Sequence, residues 1–264
     1  MKDKEQLHRE DLQRIRDFRL MDDDFMNACF DGDIEATELV LRIILDRPDL
    51  QVIRVSTQRV MKNLLGRDVW LDIDATDSNN TEIDIEIQRS DKGADRKRAR
   101  YHSSILDAHL LKAGDDFKDL PETYVIFITE HDAIGGNMPL YAVERKIIEP
   151  DRPFGDGQHI IYVNGAYRDD ETELGKLMHD FSCTDPDEMY NEVLANKARF
   201  FKQDEKGVAN MCKALEDMRN EARDEVRVEN AQKMLNDGMP IEKVVEYTGL
   251  TLEKVRELAD KKSA

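Results

Sequence analysis

Asp68-Val-Trp-Leu-Asp-Ile-Asp-Ala75 and Glu82-Ile-Asp-Ile-Glu-Ile-Gln88 alternate apolar residues with mostly acidic ones at every second position. Period two is the spacing of a half-buried strand. On the first strand Asp68, Trp70, Asp72 and Asp74 are expected on one face, with Val69, Leu71, Ile73 and Ala75 on the other. On the second, Glu82, Asp84, Glu86 and Gln88 oppose Ile83, Ile85 and Ile87. Between them Asp77-Ser-Asn-Asn80 is turn chemistry, and asparagine tolerates the left-handed backbone that a three-residue hairpin loop requires. A loop of Ser78 to Asn80 pairs Asp77 with Thr81. It sets Asp74 across from Asp84, Asp72 across from Glu86 and Trp70 across from Gln88.

Carboxylates directly opposite one another destabilise a sheet, and neither strand offers a cation on that face. A positive ligand is therefore expected there. Carboxylate oxygens without sulfur or nitrogen suit a hard divalent ion such as Mg²⁺. A solvated acidic face, screened by water and salt, is the alternative that the charge pattern alone leaves open.

Outward from the hairpin the periodicity changes. Leu39, Ile43 and Ile44 predict a helix over Ile34 to Leu45, ended by Pro48 and Asp49. Asp95 to Lys112 returns to helical spacing, with Tyr101, Ile105, Ala108 and Leu111 facing one way. Tyr124 to Thr129 is a continuous apolar run and reads as a buried central strand. Leu140 to Ile148 and His159 to Val163 are further strands. Beyond Thr184 the strand signal stops: charged helices run to about Leu235, Gly238–Pro240 breaks them, and two short helices flank Thr248-Gly249. The order predicts an α/β fold with a helical tail. It divides into a charged segment 1–21, an α/β domain 22–182 and a helical region 183–264.

Composition narrows the function. The chain has 264 residues and a formal charge of −18, which argues against coating nucleic acid over its whole surface. A local basic groove remains compatible with that charge. No apolar run approaches the ~20 residues of a membrane span, and the charged start Met1-Lys-Asp-Lys-Glu5 is unlike a secretory signal. Three scattered cysteines give neither a disulfide framework nor metal spacing, so the cytoplasm is the expected compartment. The six histidines lack zinc-ligand spacing and read as ordinary surface or core residues.

The Asp72…Glu86-x-Gln88 pattern resembles the D…ExQ signature of the PD-(D/E)XK nuclease superfamily, in particular the branch described as PD-(D/E)XK nuclease family transposase, related to recombination-promoting nucleases. Phe25 and Phe30, Lys97-Arg98-Ala-Arg100-Tyr101-His102-Ser103, Gly114-Asp-Asp116-Phe117 and Tyr124 to Asp132 resemble the same family in order and spacing. The resemblance covers about residues 22–182. It implies a restriction-endonuclease-like mixed sheet flanked by helices, and metal-dependent cleavage of DNA. Asp72 and Glu86 would hold Mg²⁺, with Mn²⁺ as substitute, and Gln88 would position the nucleophile. Glu38 on the first helix would supply a further acid, with Glu35 competing for that role. Gln88 stands where many superfamily members have lysine, and no proline precedes Asp72.

Between Arg89 and Tyr101 six cations (Arg89, Lys92, Arg96, Lys97, Arg98 and Arg100) face two acids, Asp91 and Asp95. This is the strongest local positive excess in the chain. Arg96, Lys97, Arg98, Arg100 and Tyr101 are the expected DNA contacts. The sequence from Met234 to Thr251 resembles a helix-turn-helix-like end, and its mixed charges favour docking or homo-oligomerisation over base reading. The leading expectation is a DNA endonuclease linked to recombination or a mobile element. A second is an inactive nuclease fold serving as an interaction module.

Overall fold

The computed structural model describes residues 4–63, 66–89 and 93–260. They form two compact units, one within 12–208 and one of 4–11 with 209–260. The larger carries a mixed sheet of strands β1 (Val52–Met61), β2 (Val69–Asp77), β3 (Glu82–Gln88), β4 (Thr123–Thr129), β5 (Leu140–Val143) and β8 (Gln158–Asn164) in the order β1-β2-β3-β4-β8-β5. A separate two-residue ladder joins β6 (Lys146–Ile147) to β7 (Arg152–Pro153), so the run expected as one strand from Leu140 to Ile148 is broken. β1, β2 and β3 form an antiparallel meander, β3, β4 and β8 are parallel, and β5 returns antiparallel along the far edge. The expected architecture of a mixed α/β sheet with flanking helices is present.

The turn forms as its chemistry dictates. Asn80 takes φ 63°, and the Asp77 N–H donates to the Thr81 carbonyl at 3.1 Å. The Asp77 carboxylate accepts from the N–H groups of Asn79 and Thr81, which locks the loop. Helix α4 (Arg96–Leu110) then carries the chain from β3 to the parallel β4, a connection that needs a crossover element. Ala99, Ile105 and Leu106 of α4 pack on Val125, Phe127 and Tyr162. Helices α2 (Asp23–Phe30), α3 (Ile34–Ile44), α5 (Glu173–Ser182) and α6 (Glu192–Gln203) form a second layer joined through Phe25, Phe30, Phe181 and Phe201.

The smaller unit holds the start of α1 (Lys4–Asp17), most of α7 (Glu205–Asn236), and α8 (Ile241–Thr248) and α9 (Leu252–Asp260). Ala231, Val244, Val255 and Leu258 make its core, and Gly249 closes α8 in the left-handed conformation. Lys261 and Lys262 of the expected last helix lie outside the described residues.

β1 alters the charge reading. It lies on the edge, and its Arg54 and Arg59 each place a guanidinium nitrogen 2.7 Å from Asp74 Oδ2. Asp74 is fully buried, so this part of the acidic face is countered by cations from β1, which the two hairpin strands do not themselves supply. Replacing both Arg54 and Arg59 by alanine leaves that carboxylate buried without a counter-charge. The double variant should lose about 3–5 kcal/mol of stability, and each single variant less, since one guanidinium remains. Urea unfolding followed by circular dichroism checks this; a double variant within about 0.5 kcal/mol of wild type would mean that Asp74 is held by other means.

Candidate active site

β2 and β3 pair regularly from Thr76–Glu82 to Ile73–Ile85, with Asp74 across from Asp84 as the turn requires. There the ladder stops. The expected pairs of Asp72 with Glu86 and Trp70 with Gln88 do not form between backbones. Instead the Asp72 N–H donates to Glu86 Oε1 at 3.3 Å, and the Ile87 N–H donates to Asp72 Oδ2 at 3.0 Å. Each carboxylate satisfies an amide of the opposite strand, and the strands part.

The β1 ladder marks the same point. Thr57 pairs with Ile73 and Arg59 with Leu71, skipping Gln58 and Asp72, and Gln58 has φ 54°. Val69 and Leu71 pack in the cluster of Val125 and Phe127, which in register share the face of Asp84 and Glu86. The alternation therefore changes phase at Asp72. The single face proposed for Asp68, Trp70, Asp72 and Asp74 is corrected to two stretches separated by this irregularity.

Burial dominates the electrostatics. Asp84 and Glu86 are 0 % exposed, and desolvation holds both carboxyls well above the usual carboxylate range; Asp72 adds its negative charge to each. Burial also lifts Asp72 to about 6, aided by the charge of Asp23 and opposed by the Ile87 amide. Arg98 donates to Glu86 Oε2 at 2.6 Å, to Gln88 Oε1 at 3.1 Å and to the Gly93 carbonyl at 3.0 Å. Its Nε faces His102 Nε2 at 3.3 Å. A guanidinium can only donate, so His102 Nε2 accepts and the ring proton sits on Nδ1, which donates to Asp84 Oδ2 at 3.1 Å. This neutral tautomer agrees with a His102 pKa depressed by burial.

Several expected site residues are brought together and others are not. Asp72, Glu86 and Gln88 meet at the parting of the strands. Glu38 is elsewhere: it accepts from the Val52 N–H at 2.9 Å and pairs with Arg42 at 2.6 Å, and Glu35 is exposed. The cause is the inward face of α3, which is Ala36, Val40, Leu41 and Ile44 rather than Leu39 and Ile43. The helix acid that Asp72 feels is Asp23, at the start of α2. On α4, Arg96, Lys97 and Arg100 are exposed and have no carboxylate partner among the described residues. Arg98 is committed to Glu86, and the Tyr101 hydroxyl donates to the Arg67 carbonyl at 2.6 Å. Lys92 and Asp91 lie outside the described residues. Arg98, Tyr101 and His102 border a cleft of about 920 Å³ whose far side is Arg67 and Trp70, with Lys97 at its rim.

His102 enters the centre unforeseen, and Asp84, expected on the acidic face but not as a site residue, joins it. Asp84, Glu86 and His102 offer ligand atoms that all lie within 4.8 Å of one another. Asp84 Oδ1 is buried and receives no hydrogen bond. A buried oxygen without a donor, beside a second buried carboxylate, fits a divalent cation and not an apolar filler. The ring of His102 could be linked to Asp84 in sequence only through helix phase, since it stands four residues after Arg98 on the same face of α4.

A carboxyl whose pKa is raised on folding stabilises the native state most below its unfolded value, near 4. That contribution is lost as the pH climbs through the folded value, about 6 for Asp72. In the absence of divalent metal, Asp72→Asn should therefore gain on wild type as the pH rises from 4 to 7, by at most about 3 kcal/mol. Unfolding curves for both proteins at matched pH values in EDTA give the difference; one that stays flat with pH would show that Asp72 is ionised without cost.

The comparisons agree with this geometry. A family model for PD-(D/E)XK nuclease family transposases matches residues 40–243, which include β1 to β8 and α4. No curated protein and no solved structure matches the chain. The mixed sheet, the parting hairpin and the Asp72…Glu86-x-Gln88 spacing agree with a restriction-endonuclease-like fold, and the chain belongs to the PD-(D/E)XK nuclease family transposases.

Proposed function

We propose that this protein is a DNA endonuclease that hydrolyses phosphodiester bonds with a divalent cation, Mg²⁺ or in its place Mn²⁺. One observation carries the reading: half-buried Asp72 and buried Glu86 interlock beside a helix whose Arg96, Lys97 and Arg100 are exposed without carboxylate partners among the described residues. Asp72 and Glu86 would hold the cation, with Asp84 as a third carboxylate beside them. Held there, it would supply Lewis-acid polarisation of a phosphate and a water more easily deprotonated at neutral pH.

The chain's own residues do the rest. Arg98 holds Gln88 Oε1, which turns the amide nitrogen of Gln88 outward as a free donor for a phosphate oxygen or the attacking water. Arg96, Lys97 and Arg100 draw in the phosphate backbone of a chain that the molecule as a whole repels. Strand cleavage is the chemical step that recombination and the movement of a mobile element both require, and the reading assigns the protein to such a process. The second reading, a nuclease fold that binds without cutting, is favoured by a single contact, the neutralisation of Glu86 by Arg98.

Asp72→Ala and Glu86→Ala should each abolish Mg²⁺-dependent nicking of supercoiled plasmid, and Gln88→Ala should slow it about 10–100-fold. Agarose gels of nicked and closed circles read this directly. Wild-type protein that binds plasmid yet never nicks it selects the second reading; alanine variants that cut like wild type remove the assignment of the site.

Bound phosphates have their own signature. Lys97→Glu with Arg100→Glu should weaken binding to all DNA sequences alike. The slope of log K against log salt should fall by about 0.7–0.9 for each phosphate no longer neutralised. Titrations at several salt concentrations check it, and an unchanged slope places the DNA path elsewhere.

A further inference from the structure

Trp70 is the one tryptophan in the chain, and it is 57 % exposed. An indole left in water forgoes one of the largest burial terms that any side chain offers, so such a ring at a cleft asks for an occupant. It stands two residues before Asp72, on the stretch of β2 that has lost its β3 partner. The cleft it lines is shared with Arg67, Lys97, Arg98, Tyr101 and His102, and the last four belong to α4. Arg98 and His102 in turn reach Glu86 at 2.6 and 3.6 Å. The ring therefore borders the same cleft as the residues that touch the acid pair.

The charges around it say what kind of occupant fits. Arg67 and Lys97 are exposed and have no carboxylate partner among the described residues. The acid on this rim, Asp68, is already bound to Lys62 at 2.9 Å. Tyr101 is half-buried against the cluster of Val69 and Leu71 with its hydroxyl committed to the Arg67 carbonyl, which leaves the indole as the exposed aromatic surface of the cleft. Cations that track phosphates and an aromatic plane that takes a base are the two components of single-strand recognition.

On this basis, and resting on the nuclease reading above, we propose that Trp70 stacks on an unpaired base, so that the substrate is DNA with single-stranded character beside the scissile bond. In an intact duplex both faces of each base are covered by its neighbours. Only a frayed, extruded, junction or single-stranded base presents a free face to the indole. Duplex DNA then uses Lys97 and its neighbours without Trp70, and a strand opened near Asp72 uses both.

The tryptophan fluorescence of this protein is that of Trp70 alone. The full chain in EDTA, where no cutting occurs, is titrated with a dye-labelled oligothymidylate and with a duplex of the same length. Indole emission and dye anisotropy are followed together. The single strand should quench the indole and the duplex should leave it unchanged. Trp70→Ala should weaken single-strand binding roughly 5- to 100-fold, Trp70→Phe should restore most of it, and duplex affinity should not move. Single-strand binding with unquenched emission and an unaffected Trp70→Ala overturns the stacking while leaving the nuclease reading in place. Absence of binding to either DNA overturns both. An emission shift that grows with protein concentration, with a dimer in sedimentation that Trp70→Ala dissolves, overturns it too, because the ring then covers a second copy of the chain.

Discussion

The reciprocal hold between Asp72 and Glu86 organises the larger unit. Two carboxylates are taken out of water, which is costly unless each finds donors. Here the donors are backbone amides of the opposite strand, those of Asp72 and Ile87. Using them for side chains ends the β2–β3 ladder, and ending the ladder opens the cleft between β2 and α4. Site and fold are thus consequences of one exchange of hydrogen bonds. Everything else at the centre follows from keeping those acids tolerable: Arg98 against Glu86, His102 against Asp84, and two arginines against Asp74.

That arrangement divides the cations into two classes. Arg54, Arg59 and Arg98 are counter-ions, committed to buried acids. Arg89 is similarly committed to Asp22 at 2.7 Å. Arg96, Lys97 and Arg100 remain exposed on the outside of α4. A count of basic residues along the sequence cannot separate the two classes, because each arginine of α4 is chemically alike until helix phase decides which one faces Glu86. In a molecule of net charge −18 this division matters more than the total. A paired counter-ion stabilises the apo site, whereas the cations without a carboxylate partner offer attraction to a polyanion.

How much of this is legible in the sequence depends on how local each cause is. The hairpin is legible because the alternation and the Asp77–Asn80 turn are short-range signals, and Asn80 takes the left-handed conformation its chemistry allows. The buried strand at Tyr124 and the helix of Arg98 are legible for the same reason. β1 is not: Arg54, Gln58 and Arg59 interrupt its apolar pattern, since an edge strand serving as a source of cations has little need of one. α2 and α5 are likewise unannounced, being 8 and 10 residues long and so too short for a helical period to stand out. Glu38 illustrates a subtler limit. Leu39, Ile43 and Ile44 mark a helix but not its buried face, which is Ala36, Val40, Leu41 and Ile44, and with that face inward Glu38 meets the Val52 amide. The phase change at Asp72 is invisible for the opposite reason, because the sequence alternates straight through a point where the backbone does not.

The interlock also has a mechanical side. From Thr76 to Ile73, β2 is fastened to β3 by main-chain bonds that no change of pH or ion can alter. One residue further the fastening passes to two side-chain oxygens, whose hold on the amides strengthens with their charge. The fastening of β2 to β3 therefore changes character at Asp72, while β1 still holds the far end of β2 through its pairs with Leu71, Trp70 and Val69. How tightly that end is drawn to β3 is set by protons and cations, so that whatever occupies the acids also sets the gap beside Trp70.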